Sequence, residues 1–160
     1  MEPENRKQEL LRLIRTERDA LDALIISLPM EQLTAPSLSG GWSVKDILAH
    51  ITWWEQQMLL KLRGVHMELR REDEDWEDTI ERVNADVFEE FQARPLPDIL
   101  TAYGRSYAEA LAAVEALEET ALAEQDLWNH VAGDTYEHYA EHAKDLRVAL
   151  AAPPGALQAG

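Results

Sequence analysis

Trp42-Ser43-Val44-Lys45-Asp46-Ile47-Leu48-Ala49-His50-Ile51-Thr52-Trp53-Trp54-Glu55 is the stretch that decides the fold class. Ser43 is a favoured N-cap residue, and Asp46 stands three residues on, where its carboxylate can complete a capping box. Trp42 before the cap and Ile47 at the fourth helical position have hydrophobic-staple spacing. From that start, Val44, Ile47, Leu48, Ile51, Trp54, Met58, Leu59 and Leu62 recur at helical intervals. They predict a helix to about Arg63, with Gly64 near its end. His50 falls at the edge of this stripe. Glu55 falls inside it, and a carboxylate there needs a partner or its neutral form.

Working outward, a first helix is expected from about Glu4 to Leu28, stopped by Pro29, followed by turn formers ending in Gly40-Gly41. Downstream, residues 65–75 are charged and aperiodic, with Glu72-Asp73-Glu74-Asp75 read as a solvated loop. A further helix spans roughly Trp76 to Gln92, and another runs from after Pro97 to about Glu119, burying Leu100, Tyr103, Tyr107, Leu111, Val114 and Leu117. Glu118 to Val131 reads as a connection in which Leu127-Trp128 tuck an apolar lid against the bundle. The last helix is expected to open at Asp134 as N-cap with Glu137 behind it, and to reach Leu150. Its apolar face is Tyr139, Ala143, Leu146 and Leu150, with Glu137 and Glu141 turned to solvent. There is no strand-period segment. The expectation is an all-α four-helix bundle over residues 1–151, with a long crossover carrying an extra helix between helices two and three. Residues 152–160 are expected to form a disordered tail.

The composition narrows the function. With 160 residues and 46% hydrophobic content the chain can build one core. A net charge of −16 repels phosphate backbones, so no nucleic-acid partner is expected. The absence of cysteine removes thiolate ligands and a cysteine nucleophile, leaving nitrogen and oxygen donors for any metal. The polar start has no signal core, and no run approaches the roughly 20 apolar residues of a membrane span. A cytoplasmic protein that does not engage membranes is the expectation.

His138 and His142 stand four residues apart, on one face of the last helix. That spacing lets two imidazoles bind one ion, and His50 on another helix can close a three-histidine site with open positions. Zinc, nickel, copper and iron(II) all suit neutral imidazole. The alternative is three partly buried histidines satisfied by backbone or carboxylate groups. His66 and His130 read as surface residues. Glu55 is a candidate for orienting a histidine or acting as base, against a buried salt bridge to an arginine. Trp53, Trp54, Tyr103, Tyr107 and Tyr139 either line a pocket or fill the core.

Gly41-Trp42-Ser43-Val44-Lys45-Asp46-Ile47-Leu48-Ala49-His50, with the aromatic run and Glu55 after it, resembles the second helix of the DinB/YfiT-like superfamily. His138-x-x-x-His142 resembles that family's helix-four motif, and the likeness runs in order over about residues 5 to 150. Gly133-Asp134-Thr135-Tyr136-Glu137-His138-Tyr139 is similar to a subgroup that includes bundles giving self-protection against a genotoxic natural product. The resemblance implies a four-helix bundle, often a homodimer, with one divalent metal ion, commonly zinc or nickel, on three histidines: here His50, His138 and His142. It also implies a small-molecule substrate and either hydrolase chemistry or transfer with a low-molecular-weight thiol such as mycothiol or bacillithiol. A binding or self-protection bundle without catalytic metal is the alternative it carries.

Overall fold

The capping box forms as the sequence requires. The Ser43 hydroxyl accepts from the Asp46 amide at 3.2 Å, and an Asp46 carboxylate oxygen accepts from the Ser43 amide at 2.8 Å. In the computed structural model, which describes residues 5–151, this box opens the helix that organises the bundle. The expected tail at 152–160 lies outside the described residues.

Among the described residues seven α-helices follow in order: α1 (Arg6–Ile26), α2 (Met30–Thr34), α3 (Val44–Leu62), α4 (Trp76–Phe91), α5 (Leu96–Ala116), α6 (Gln125–Asp134) and α7 (Tyr136–Ala151). Short 3-10 turns occupy Ser39–Gly41 and Ala121–Ala123, and no strand occurs among the described residues. α1 packs on α7 and α3 on α5, making the four-helix bundle, while α4 and α6 lie against α3. The interior is built from Leu10, Ile14 and Leu21 of α1, Leu48, Ile51, Met58 and Leu59 of α3, Ala110 and Val114 of α5, and Ala143 and Leu146 of α7. Each of the larger apolar side chains contributes about 1.5–3 kcal/mol by leaving water.

The crossover is the expected one. Gly64, at φ 79°, takes the left-handed conformation that ends α3. The Val65 amide then reaches the Leu60 carbonyl at 2.9 Å and the Gly64 amide the Lys61 carbonyl at 3.0 Å, closing a Schellman-type turn. The acidic run is not merely solvated. Glu74 accepts from Arg82 Nε at 2.6 Å, and Arg82 Nη2 also donates to the Leu69 carbonyl at 2.7 Å. These bonds clasp the 65–75 loop to α4. That guanidinium, with help from the Arg71 amide and the Thr79 hydroxyl, holds the Glu74 carboxyl down at about 2. Asp75 caps α4 by accepting from the Asp78 amide at 2.8 Å.

Several expectations for the second half of the chain are corrected. The stretch Glu118 to Val131 is not a plain connection, since α6 starts at Gln125 within it. Asp134 is therefore not the N-cap of the last helix but the final residue of α6, and a single residue, Thr135 (φ −125°, ψ −104°), separates α6 from α7. Leu127 and Trp128 pack half-buried against the core from α6 rather than as a loop lid. Leu100 and Leu150, expected inside, are 37% and 44% exposed. On α5 the buried line is Leu96, Ile99, Tyr103, Ser106, Ala110 and Val114.

Candidate metal centre

α3 and α7 bring the three named histidines together. His50 Nε2 lies 2.9 Å from His138 Nε2, and His142 Nε2 lies 3.0 Å from the same atom. One donor atom from each of the three lies within 4.8 Å of the others. The rings meet edge-on, with interplanar angles of 60° to 82°. Nitrogens about 2.0–2.1 Å from one zinc ion stand about 2.9 Å apart at a right angle and about 3.3 Å apart at a tetrahedral angle. The spacings of His50 and His142 from His138 suit a shared ion.

The proton chemistry agrees with that fit. Burial is the first cause lowering all three: His50 to about 3, with His142 adding to the effect, and His138 to about 2, with His142 and His50 adding. His142 is lowered too, although Glu141 and Asp145 pull it the other way. All three are neutral at neutral pH. A neutral imidazole nitrogen without a proton has one in-plane lone pair, so His138 Nε2 cannot serve two histidine donors well. One cation shared by three lone pairs resolves the crowding. The three Nδ1 atoms are buried without a hydrogen-bond partner, and Asp145 stands 3.9 Å from that of His142.

The triad borders a cavity of about 740 Å³. Trp42 just before the α3 cap, Trp54 of α3, Met67 and Leu69 of the clasped loop, and Trp76 and Ile80 of α4 form its apolar side. Trp42 stacks on Phe88 at 5.2 Å and meets the His50 ring edge-on at 5.6 Å. Trp54 is fixed by donating Nε1–H to Asn84 Oδ1 at 3.0 Å. Lys61, His130, Asp134 and Glu141 supply the polar side. Burial pushes the Asp134 carboxyl up to about 7, with Lys61 opposing and Glu55 adding.

Several residues stand elsewhere than expected. His130 is not a surface residue: it is half-buried in α6, lines the cavity, and its Nε2 has no partner. His66 is exposed at the cavity rim, and Glu141 lines the cavity while remaining exposed. Glu55 takes no place at the cavity. It is 0% exposed and accepts from Arg18 Nη1 at 3.3 Å and from the Tyr139 hydroxyl. Burial pushes its carboxyl up, and Arg18 and Tyr139 pull it back. Arg18 also lies over the Tyr103 ring at 3.5 Å and the Tyr107 ring at 4.3 Å, so these tyrosines and Tyr139 belong to the interior. Of the aromatic candidates, Trp54 alone lines this cavity, and Trp53 borders a smaller apolar hollow of about 120 Å³ beside α5.

The sequence profile of the DinB superfamily matches residues 13–145, which include His50, His138 and His142. The chain belongs to the DinB superfamily. Among solved structures, this DinB chain superposes on the crystal structure of an uncharacterised protein from Escherichia coli UTI89, with a TM-score of 0.76. The match covers 89% of this chain and 91% of that one at 15% identity, a likeness of fold alone. No curated protein matches the chain. Among the described residues of this DinB bundle, no helix is long and apolar enough to cross a membrane.

Proposed function

We propose that this DinB chain is a metal-dependent enzyme acting on a small molecule, a hydrolase or a thiol-dependent transferase. His50, His138 and His142 would hold one divalent ion, with zinc or nickel the closest fit to three imidazoles. The observation that carries this reading is the convergence of three neutral Nε2 atoms, 2.9 Å and 3.0 Å apart, on the border of a cavity large enough for a substrate. Such an ion, when bound, supplies Lewis acidity at positions facing the cavity. The chain supplies the rest. Trp42, Trp54 and Trp76 offer flat apolar surface to the body of a substrate, and Lys61 and Asn129 offer hydrogen-bond donors to its polar part. A low-molecular-weight thiol as co-substrate and a homodimeric state belong to the same proposal, on the family resemblance. The net charge of −16 supports a partner other than nucleic acid.

A second reading is a small-molecule binder of the self-protection kind, in which the apolar side of the cavity does the work without metal. The exposure of Trp76, Met67 and Val65 around the cavity favours it. Elemental analysis of untagged protein, followed by a substrate screen before and after chelation, separates the two. Stoichiometric metal and chelator-sensitive turnover support the enzyme. Metal-free protein that binds aromatic ligands with unchanged affinity after chelation supports the binder.

A further inference from the structure

The line of side chains that carries the two α7 histidines continues beyond them. Counting back by four from His142 gives His138, Asp134 and His130, and all four line the cavity. The break at Thr135 does not turn Asp134 away, because the Thr135 hydroxyl bonds back to the Val131 carbonyl at 2.6 Å and the Tyr139 amide to the Thr135 carbonyl at 2.9 Å. Asp134 is half-buried at the end of α6, and neither of its carboxylate oxygens is among the fully buried side-chain atoms left without a partner, so the carboxylate opens onto the cavity it lines. The other cavity acids differ. Glu68 and Glu141 are exposed, so water screens them. Glu55 stands off the cavity, locked to Arg18 and Tyr139.

We propose that Asp134 is the proton acceptor of this centre, placed to take a proton from a water or thiol that enters the cavity beside the three imidazoles. This rests on the metal-dependent reading above. In the step, the O–H or S–H bond of the entering nucleophile breaks and its electron pair stays on oxygen or sulfur. The proton goes to an Asp134 carboxylate oxygen and passes to the leaving group as the product forms, so the carboxyl ends as it began.

The surroundings suit that task. From α3, Lys61 faces Asp134 as a cation and Glu55 lies behind as an acid; the loop after α3 adds His66 and Glu68 at the rim. From α6 comes His130, which burial and then Lys61 keep below its ordinary value, and from α7 come Glu141 and the neutral His138 and His142. With a protonation midpoint at about 7, Asp134 is half-charged near neutral pH, where acceptor and donor roles are both open. A dication held by the neighbouring imidazoles favours the charged carboxylate, so Asp134 gives up a proton on metal binding and meets the nucleophile as a base.

Zinc alone is the probe. Titrating zinc into metal-free, untagged protein near pH 6.5, in buffers of different ionisation enthalpy, counts the protons released per ion. Wild type should release about half to one proton more than Asp134→Asn, with both binding zinc, while Glu137→Gln matches wild type. In the wild-type protein, carboxyl carbon NMR should show one aspartate titrating near 7 without metal and more than one unit lower with zinc, a readout independent of how the variant folds. Equal proton release by wild type and Asp134→Asn, or only ordinary aspartate titrations, overturns the assignment of Asp134 and leaves the metal site standing. Failure of the wild type to bind zinc overturns the metal-dependent reading and this inference with it.

Discussion

Arg18 of α1 and Glu55 of α3 meet at 3.3 Å with 1% and 0% of their side chains exposed. Arg18 Nη2 also donates to the Tyr103 carbonyl at 3.0 Å, and the Tyr139 hydroxyl donates to Glu55. One ion pair thus ties all four bundle helices. Arg18→Met leaves a buried carboxylate without its cation and should cost about 3–5 kcal/mol in chemical denaturation. Arg18→Met with Glu55→Leu should recover most of that loss, because both charges are gone. A single variant as stable as wild type would mean that Glu55 is already neutral.

His142→Ala should lose zinc or bind it at least a hundredfold more weakly, while His66→Ala and His130→Ala retain it. His142 supplies one of three converging nitrogens, and the other two histidines stand off the triad. Calorimetry on untagged protein checks the affinity. Circular dichroism of His142→Ala should show a helical bundle, since the apolar core holds without the ion.

The histidine pKa values set a pH dependence of their own. His50 at about 3 and His138 at about 2 resist protonation in the folded chain, whereas an unfolded histidine accepts a proton near 6.5. Their folded values are depressed, so their contribution to stability is present above about 6.5 and is lost as pH falls below it. Between pH 7.5 and 5.5 each should cost the metal-free bundle about 1.4 kcal/mol. Urea midpoints at the two pH values measure this, and replacing His138 with Phe should flatten the dependence. The unperturbed histidine pKa would place the loss of metal affinity just below 6.5. Burial moves that competition lower within the folded protein, so affinity should persist until unfolding intervenes.

Ser43→Ala removes the acceptor for the Asp46 amide in a buried cap and should cost about 1 kcal/mol. Equilibrium denaturation of the variant against wild type is the check. An unchanged midpoint would show that water replaces the hydroxyl without loss.

What could be read in the sequence was local or strictly periodic. The Ser43–Asp46 box is complete within four residues, so no tertiary context is needed to see it. His138 and His142 share a helical face by spacing alone, and His50 borders a stripe that must face another helix. Asp134 misled for a physical reason. An Asp with Glu three residues on has the pattern of an N-cap, but α6 begins at Gln125 and runs into that position already helical. The signal that could have found it is the four-residue interval His130, Asp134, His138, His142. Arg18 carries no local signal at all, since its burial depends on three tyrosine rings from two other helices.

The clasp between Glu74 and Arg82 has a consequence for how this site can diversify. Val65, Met67, Leu69, Trp76 and Ile80 reach the cavity from the crossover, and none is among the fully buried residues of the bundle. This wall of the cavity is thereby mounted on a bracket outside the frame. Substitutions there can change which molecules enter without disturbing the histidines or the Arg18–Glu55 pair, provided that the bracket stays fastened to α4. The cavity wall and the bundle can drift separately in this chain, with the Glu74–Arg82 pair and the Arg82–Leu69 bond fastening the loop to α4.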